Sequence, residues 1–451
     1  MEGNHIGMTR RHGYALLAAL VALATAVVAA VWAGTPSGDG SAAVGPYGAG
    51  RAGRESAAPV STGTWAAAWA TSPASAEPGT SLLGMAGRSV RNVVHTSAAG
   101  TGARVTLSNL YGSSPLTVTH ASLALAARPG TAAAAPGTMR RLTFAGAPTV
   151  VIPAGGQAMS DAVRVAVPDD GDVLVTTYSP TPSGPVTYHP HAQQISYAAP
   201  GDRTEDVTGA PYTERTRYWR YLTALDVLGQ DTAGTVVAFG DSITDGISST
   251  PGANRRWPDV LSRRLWDAVR AGQDVPRYSV VNEGISGNQV LADGPGRPAG
   301  NPSGLHRFRR DVLERTNVKA VVIDLGINDI LRAPGTADPD RILGGLRELV
   351  RQAHARGLKA VGATLTPFEG HRGYSPAGEA VRQRVNAGIR AGTVFDAVVD
   401  FDRALRDPHD PRHLAAAYDC GDHLHPSDAG FGRMAQAFDL TLLNGAGRAQ
   451  L

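Results

Sequence analysis

The second half of this 451-residue chain repeats one rhythm: an apolar run, a turn rich in Gly, Asn or Asp, then an amphipathic stretch. Residues 235–239, 279–282, 320–325 and 359–363 are such runs, with a shorter one at 398–401. Helix-like segments fill the intervals at 257–271, 338–356, 377–391 and 427–443. In the second of these, Ile342, Leu346, Leu349, Val350 and Ala353 recur at three- and four-residue steps, and Gly357 stands where a helix ends in left-handed backbone. Strands apolar along their whole length are buried on both faces, and their alternation with helices requires a parallel sheet. The expected fold from residue 231 to 451 is a three-layer α/β/α domain.

The preceding region obeys a different rule. Residues 88–94, 103–107, 116–125, 149–152, 162–167 and 172–178 read as short strands separated by Pro and Gly clusters. No stretch there keeps a helical period for three turns. Such spacing predicts a β-sandwich or jelly-roll-like module over residues 63–230. Trp65 and Trp69 at its start are expected in its core or docked against a neighbour. Residues 34–62 are Gly, Ala, Ser, Pro and Thr with scattered charge, a flexible linker. Before them, Arg10-Arg11-His12 precedes an uncharged apolar run at 14–33, which reads as a signal peptide or a membrane anchor. Val31-Trp32-Ala33 offers a small-residue cleavage site. The expected location is secreted, with anchoring on the extracellular face as the alternative.

A net charge of +3 is small for this length and gives no electrostatic footprint for nucleic acid. The basic residues are almost all arginine, Lys319 and Lys359 being the two lysines. The lone Cys420 cannot form an internal disulfide, and its place in a loop argues against a nucleophilic role.

The turns carry the chemistry. The first apolar run ends in Gly240-Asp241-Ser242-Ile243-Thr244-Asp245-Gly246, which presents a serine where open α/β sheets build their sites. Near the other end, Asp422-His423-Leu424-His425-Pro426 supplies an acid and an imidazole three positions apart. A serine hydroxyl needs a base to take its proton, and a histidine base needs a carboxylate to orient it. Ser242, His425 and Asp422 are the candidates. His423 competes as base, and Asp419 and the more distant Asp402 compete as orienter. His425 is preferred because Pro426 and Ser427 open a helix directly after it. Asp241 and Asp245 are expected to brace the serine turn. After the second apolar run, Gly284 and Gly287 let backbone approach a ligand and aim an amide outward. After the third, Asn328 could donate its amide to an oxyanion, or cap the following helix as Asp329 could equally do. A rival metal reading would gather Asp422, His423, His425, His189 and His191, but the spacing of strong zinc motifs is missing. His189-Pro190-His191 is expected to be surface or interface structure, and neither metal nor cofactor is expected.

These four strings resemble the blocks of the SGNH (GDSL-type) hydrolase superfamily, with Ser242, Gly287, Asn328 and His425 on its four namesake positions. The resemblance covers roughly residues 235–443. It implies a flavodoxin-like α/β/α fold, an oxyanion hole of the Ser242 and Gly287 amides with the Asn328 side chain, and Asp422 as triad acid. Residues 254–258, 364–370 and 421–426 are similar to a secreted two-domain actinobacterial branch of xylan-related arylesterases that carries a β-rich module in front. The implied function is extracellular hydrolysis of short-chain, notably acetyl, esters of small molecules or polysaccharide. Lipase or arylesterase activity is the alternative, and a non-catalytic polysaccharide-binding surface protein the rival. A monomer is expected, touching membrane only through its amino terminus.

Overall fold

The computed structural model describes residues 63–294 and 301–445; the leader and linker expected over residues 1–62 lie outside them. No helix among the described residues is long and apolar enough to cross a membrane.

From residue 63 the chain builds antiparallel sheets. One orders Thr64–Ala70, Leu222–Gly229, Gly100–Ser108 and Val163–Val167; the other centres on Arg88–His95 and Asp172–Ser179. Val105, Leu107, Leu225 and Val227 of the first share a core with Val90, Val94, Val173 and Val175 of the second. Trp69 is part of that core, edge-on to Trp219 at 4.9 Å between ring centroids. The run expected at 116–125 is two strands, Leu116–Val118 and His120–Leu125.

Burial exceeds what alternation predicts. Arg91 and Asn92, on the Arg88–His95 strand, are fully buried: Arg91 shares its face with an apolar layer of Val93, Leu174, Tyr197 and Tyr212, and Asn92, on the opposite face, pairs with the backbone N–H and carbonyl of Arg220. The Arg91 guanidinium donates to Thr176 Oγ1 and to the Ala132 and Asp206 carbonyls, and stacks 4.0 Å over Tyr212. A buried guanidinium survives only with such a full set of acceptors.

From Gly234 the sheet is parallel. Its spatial order is Tyr278–Gly284, Gly234–Gly240, Val318–Asp324, Lys359–Ala363, Ala397–Val399. The first strand in sequence is thus flanked by the second and third, the switch point at which the connections diverge. Val236, Ala238, Val280 and Val322 pack one face against Trp257, Leu261 and Leu265 of the Trp257–Arg270 helix and Phe431 and Met434 of Asp428–Ala437. Val237, Phe239, Val321 and Ile323 pack the other against helices Pro339–His354 and Pro376–Arg390.

That second face also meets Ala67, Ala70 and Ala224 of the antiparallel region. The strand Thr64–Ala70 reads Thr-Trp-Ala-Ala-Ala-Trp-Ala, and its three central alanines are fully buried. Small side chains let it lie close, and Ala67 N–H donates to Thr235 Oγ1 at 3.1 Å. Sheet therefore replaces helix over part of the expected outer layer, and both regions fall in one compact unit, Ser61–Leu451. Two helical expectations also change. The run at 398–401 ends as a strand at Val399, because Asp400 caps a helix Phe401–Leu405 by accepting from Arg403 N–H. The last helix stops at Ala437, and a 3₁₀ turn Leu440–Leu443, capped by Asp439, follows it.

Candidate active site

Ser242 opens a four-residue helix, Ser242–Asp245, at the carboxyl end of the Gly234–Gly240 strand. Asp241 caps that helix by accepting from Ile243 N–H at 3.0 Å, and Gly246 ends it in left-handed backbone. The hydroxyl is held at a sharp strand-to-helix turn. His425 approaches from the loop before Asp428–Ala437, whose cap Ser427 accepts from Gly430 N–H. His425 Nε2 lies 2.8 Å from Ser242 Oγ, and its Nδ1 lies 2.6 Å from Asp422 Oδ2. Asp422 Oδ1 accepts from the backbone N–H groups of Leu424 and His425. Partial burial pushes the Asp422 carboxyl up, but the bond to His425 and these amides outweigh it and hold it well below the usual carboxylate range.

The oxyanion candidates face the same space. Gly287 has φ 78°, a conformation that favours glycine, and Gly284 cannot carry a side chain because a Cβ would lie 2.3 Å from Asp245 N. Among the described residues, no acceptor bonds the amides of Ser242 or Gly287. Asn328 gives one N–H to Asp241 Oδ2 at 3.2 Å, leaving its second for the cavity it lines. The alternative capping role does not hold for Asp329, whose carboxylate instead accepts from Val290 and Leu291 N–H across the adjacent loop.

Ser242, Gly287, Asn328 and His425 all line one cavity of about 600 Å³. Its size is in the range of small-molecule sites. The remaining wall includes apolar Ile247, Leu331 and Leu424 and the basic side chains of Arg332 and Arg372. Sequence reasoning did not assign His191 or His371 to this wall. Burial lowers the pKa of both imidazoles.

The rivals sit elsewhere. His423, at φ 63°, pairs with Asp419 through Nδ1 at 2.7 Å and is half exposed. Asp402 is buried with Arg382 and Arg390. Cys420 is exposed, and burial of part of its surroundings raises its thiol pKa, the wrong direction for a nucleophile. The rival metal grouping is not among the clusters of ligand atoms: among the described residues, these gather at Glu369, Asp410 and His413, and at Asp419, Cys420 and Asp422. His189 lies at an interface, inside the molecule. Its Nε2 is 2.9 Å from Asp245 Oδ1, and its Nδ1 is 2.9 Å from the Ser72 carbonyl.

Residues 238–433 match the GDSL-like Lipase/Acylhydrolase family. Among solved structures, a carbohydrate acetylesterase from Sinorhizobium meliloti is 18% identical, with TM-score 0.35 over 45% of this chain and 95% of its own. An alpha/beta hydrolase from the metagenome of Lake Arreo, Spain, is 24% identical, with TM-score 0.35 over 47% and 95%. A GDSL-like lipase from Bacteroides thetaiotaomicron is 20% identical, with TM-score 0.32 over 46% and 87%. No curated protein matches the chain.

Proposed function

We propose that this chain is a serine ester hydrolase working through an acyl-enzyme. The observation that carries the reading is the continuous line of hydrogen-bond distances from Asp422 through His425 to Ser242 Oγ. Ser242 attacks the acyl carbon as His425 Nε2 takes its proton, and Asp422 orients the ring and balances its charge. The tetrahedral oxyanion is received by the Ser242 and Gly287 amides and the free N–H of Asn328. His425 then protonates the leaving alcohol, and water repeats the sequence to release the acid.

The substrate proposed is a short-chain ester, acetyl first, on a carbohydrate or other small alcohol. Support comes from a wall that mixes a few aliphatic side chains with histidines and arginines rather than forming an apolar channel. The leader-like residues 10–33 and the resemblance to secreted xylan-related arylesterases support an extracellular substrate. The test is release of acetate from acetylated xylan and of nitrophenol from a chain-length series. Ser242→Ala should abolish both, and a fluorophosphonate should label native Ser242; wild-type turnover by the folded variant would refute the assignment.

A further inference from the structure

The antiparallel region touches the candidate site through two buried ties. In the first, His189 lies at the end of the Thr187–His189 strand, and Asp245 is the last residue of the nucleophile helix. Asp245 accepts from His189 Nε2 at 2.9 Å through one oxygen, and from Ser286 N–H at 3.0 Å and Ser286 Oγ–H at 2.6 Å through the other. Ser286 immediately precedes Gly287. Both side chains of the ion pair are almost wholly shielded from water.

In the second tie, Ser72 hydrogen-bonds Arg307, and fully buried Arg307 reaches both catalytic loops. Its Nη1 lies 2.9 Å from Ser72 Oγ, its Nη2 donates to the Gly240 carbonyl at 2.8 Å, and its Nε donates to Asn288 Oδ1 at 2.9 Å. Gly240 is two residues before Ser242, and Asn288 directly follows Gly287. The loops that hold the hydroxyl and the oxyanion amide are thus each gripped from the antiparallel region.

We infer that this region is a working part of the active site, with His189 and Asp245 as positioning residues that set the Gly287 amide against Ser242 through Ser286. His189 supports this role chemically. Both its ring nitrogens face acceptors, a carbonyl and a carboxylate, so both must carry protons. Burial pulls its pKa down, but Asp245 outweighs that and holds the imidazolium. Asp245 is likewise raised by burial and brought below its ordinary value by His189 and Ser286. A charge-assisted bond is shorter and stiffer than a neutral one, and suits a fixed spacer. The neighbouring His191 extends the same region into the cavity wall.

The inference rests on the esterase reading, and the test separates the two. His189→Ala and Ser286→Ala are made singly and together in the full chain, with folding checked by thermal melting. Each single change should lower kcat about tenfold with KM within about twofold, because a misplaced amide weakens the transition state and not the ground state. Affinity for a boronic acid, which forms a tetrahedral adduct on serine, should fall in step. The double variant should be no worse than the poorer single one, because both act through Asp245. Wild-type turnover by folded His189→Ala, or strictly additive losses, would overturn the inference. Should His189→Ala fail to fold, His189→Gln is read beside Ser286→Ala, which removes the 2.6 Å hydroxyl bond to Asp245 while the Ser286 N–H bond stays; wild-type turnover in both overturns it too. A wild-type chain inactive on every ester would instead overturn the esterase reading.

Discussion

Two histidine–aspartate pairs involve the short helix Ser242–Asp245, and they differ in what the second ring nitrogen faces. His189 is buried, with one nitrogen on Asp245 and the other on the Ser72 carbonyl, and neither can accept a proton. His425 is at the cavity, with one nitrogen on Asp422 and the other on the Ser242 hydroxyl. The same two residue types give a buried ring held by two acceptors in one place and the proposed base in the other. The pairs differ in burial, 3% and 2% exposed for His189 and Asp245 against 14% and 45% for His425 and Asp422, and in the third group each ring faces.

The largest expected effect tests that distinction at its sharpest. His425→Ala should lower kcat by about a thousandfold or more, as loss of a base does in such triads. His423→Ala, which removes the parallel pair with Asp419, should leave turnover within about twofold, since that ring bonds no reacting group. Comparable losses in both variants, measured on a nitrophenyl acetate, would mean the two neighbouring imidazoles share the work. A smaller effect belongs to Asn328→Ala, which should reduce kcat about a hundredfold by removing one oxyanion donor. An unchanged kcat there would place the developing charge elsewhere in the cavity.

The smallest effect concerns stability. Asp324 and Asp241 are both buried at the base of the nucleophile turn, and burial raises both carboxyls, Asp324 to about 6. An acid whose folded pKa lies above its unfolded value, here 3.8, is most favourable to the fold when protonated. That contribution is complete below the unfolded value and lost as pH rises to about 6. Asp324→Asn keeps an acceptor for Thr244 Oγ1 and should gain melting temperature relative to wild type across that interval. Thermal melts in which the difference stays constant from pH 4 to pH 7 (roughly the interval between an ordinary and a raised carboxyl) would contradict the assigned shift.

What the sequence made legible was local. Continuous apolar runs announced the parallel strands, and Gly, Asn and Ser in the following turns pointed to the residues that meet at the cavity. The spacing of Asp422 and His425, three residues apart, is also a local signal. The less legible features depend on contacts between distant segments. His189 and Asp245 are each ordinary in their own strings, and only the docking of one region on the other joins them. The full burial of Arg91 was hidden likewise, because its acceptors come from Thr176, Ala132 and Asp206. The helix at 401–405 was missed for a smaller reason. Val398, Val399 and Phe401 read as one apolar run, and the capping power of Asp400 inside it went unused.

The alanine-rich strand carries a consequence for how this chain could be dissected. Val237, Phe239 and Val281 share their packing with Ala67, Ala70 and Ala224, so severing the polypeptide near residue 231 would leave a greasy scar on the parallel-sheet fragment. Alanine at those places also leaves little room for drift, since each added methylene would pry two sheets apart. Any replacement for the front half would have to cover this same face of Val237, Phe239 and Val281 again.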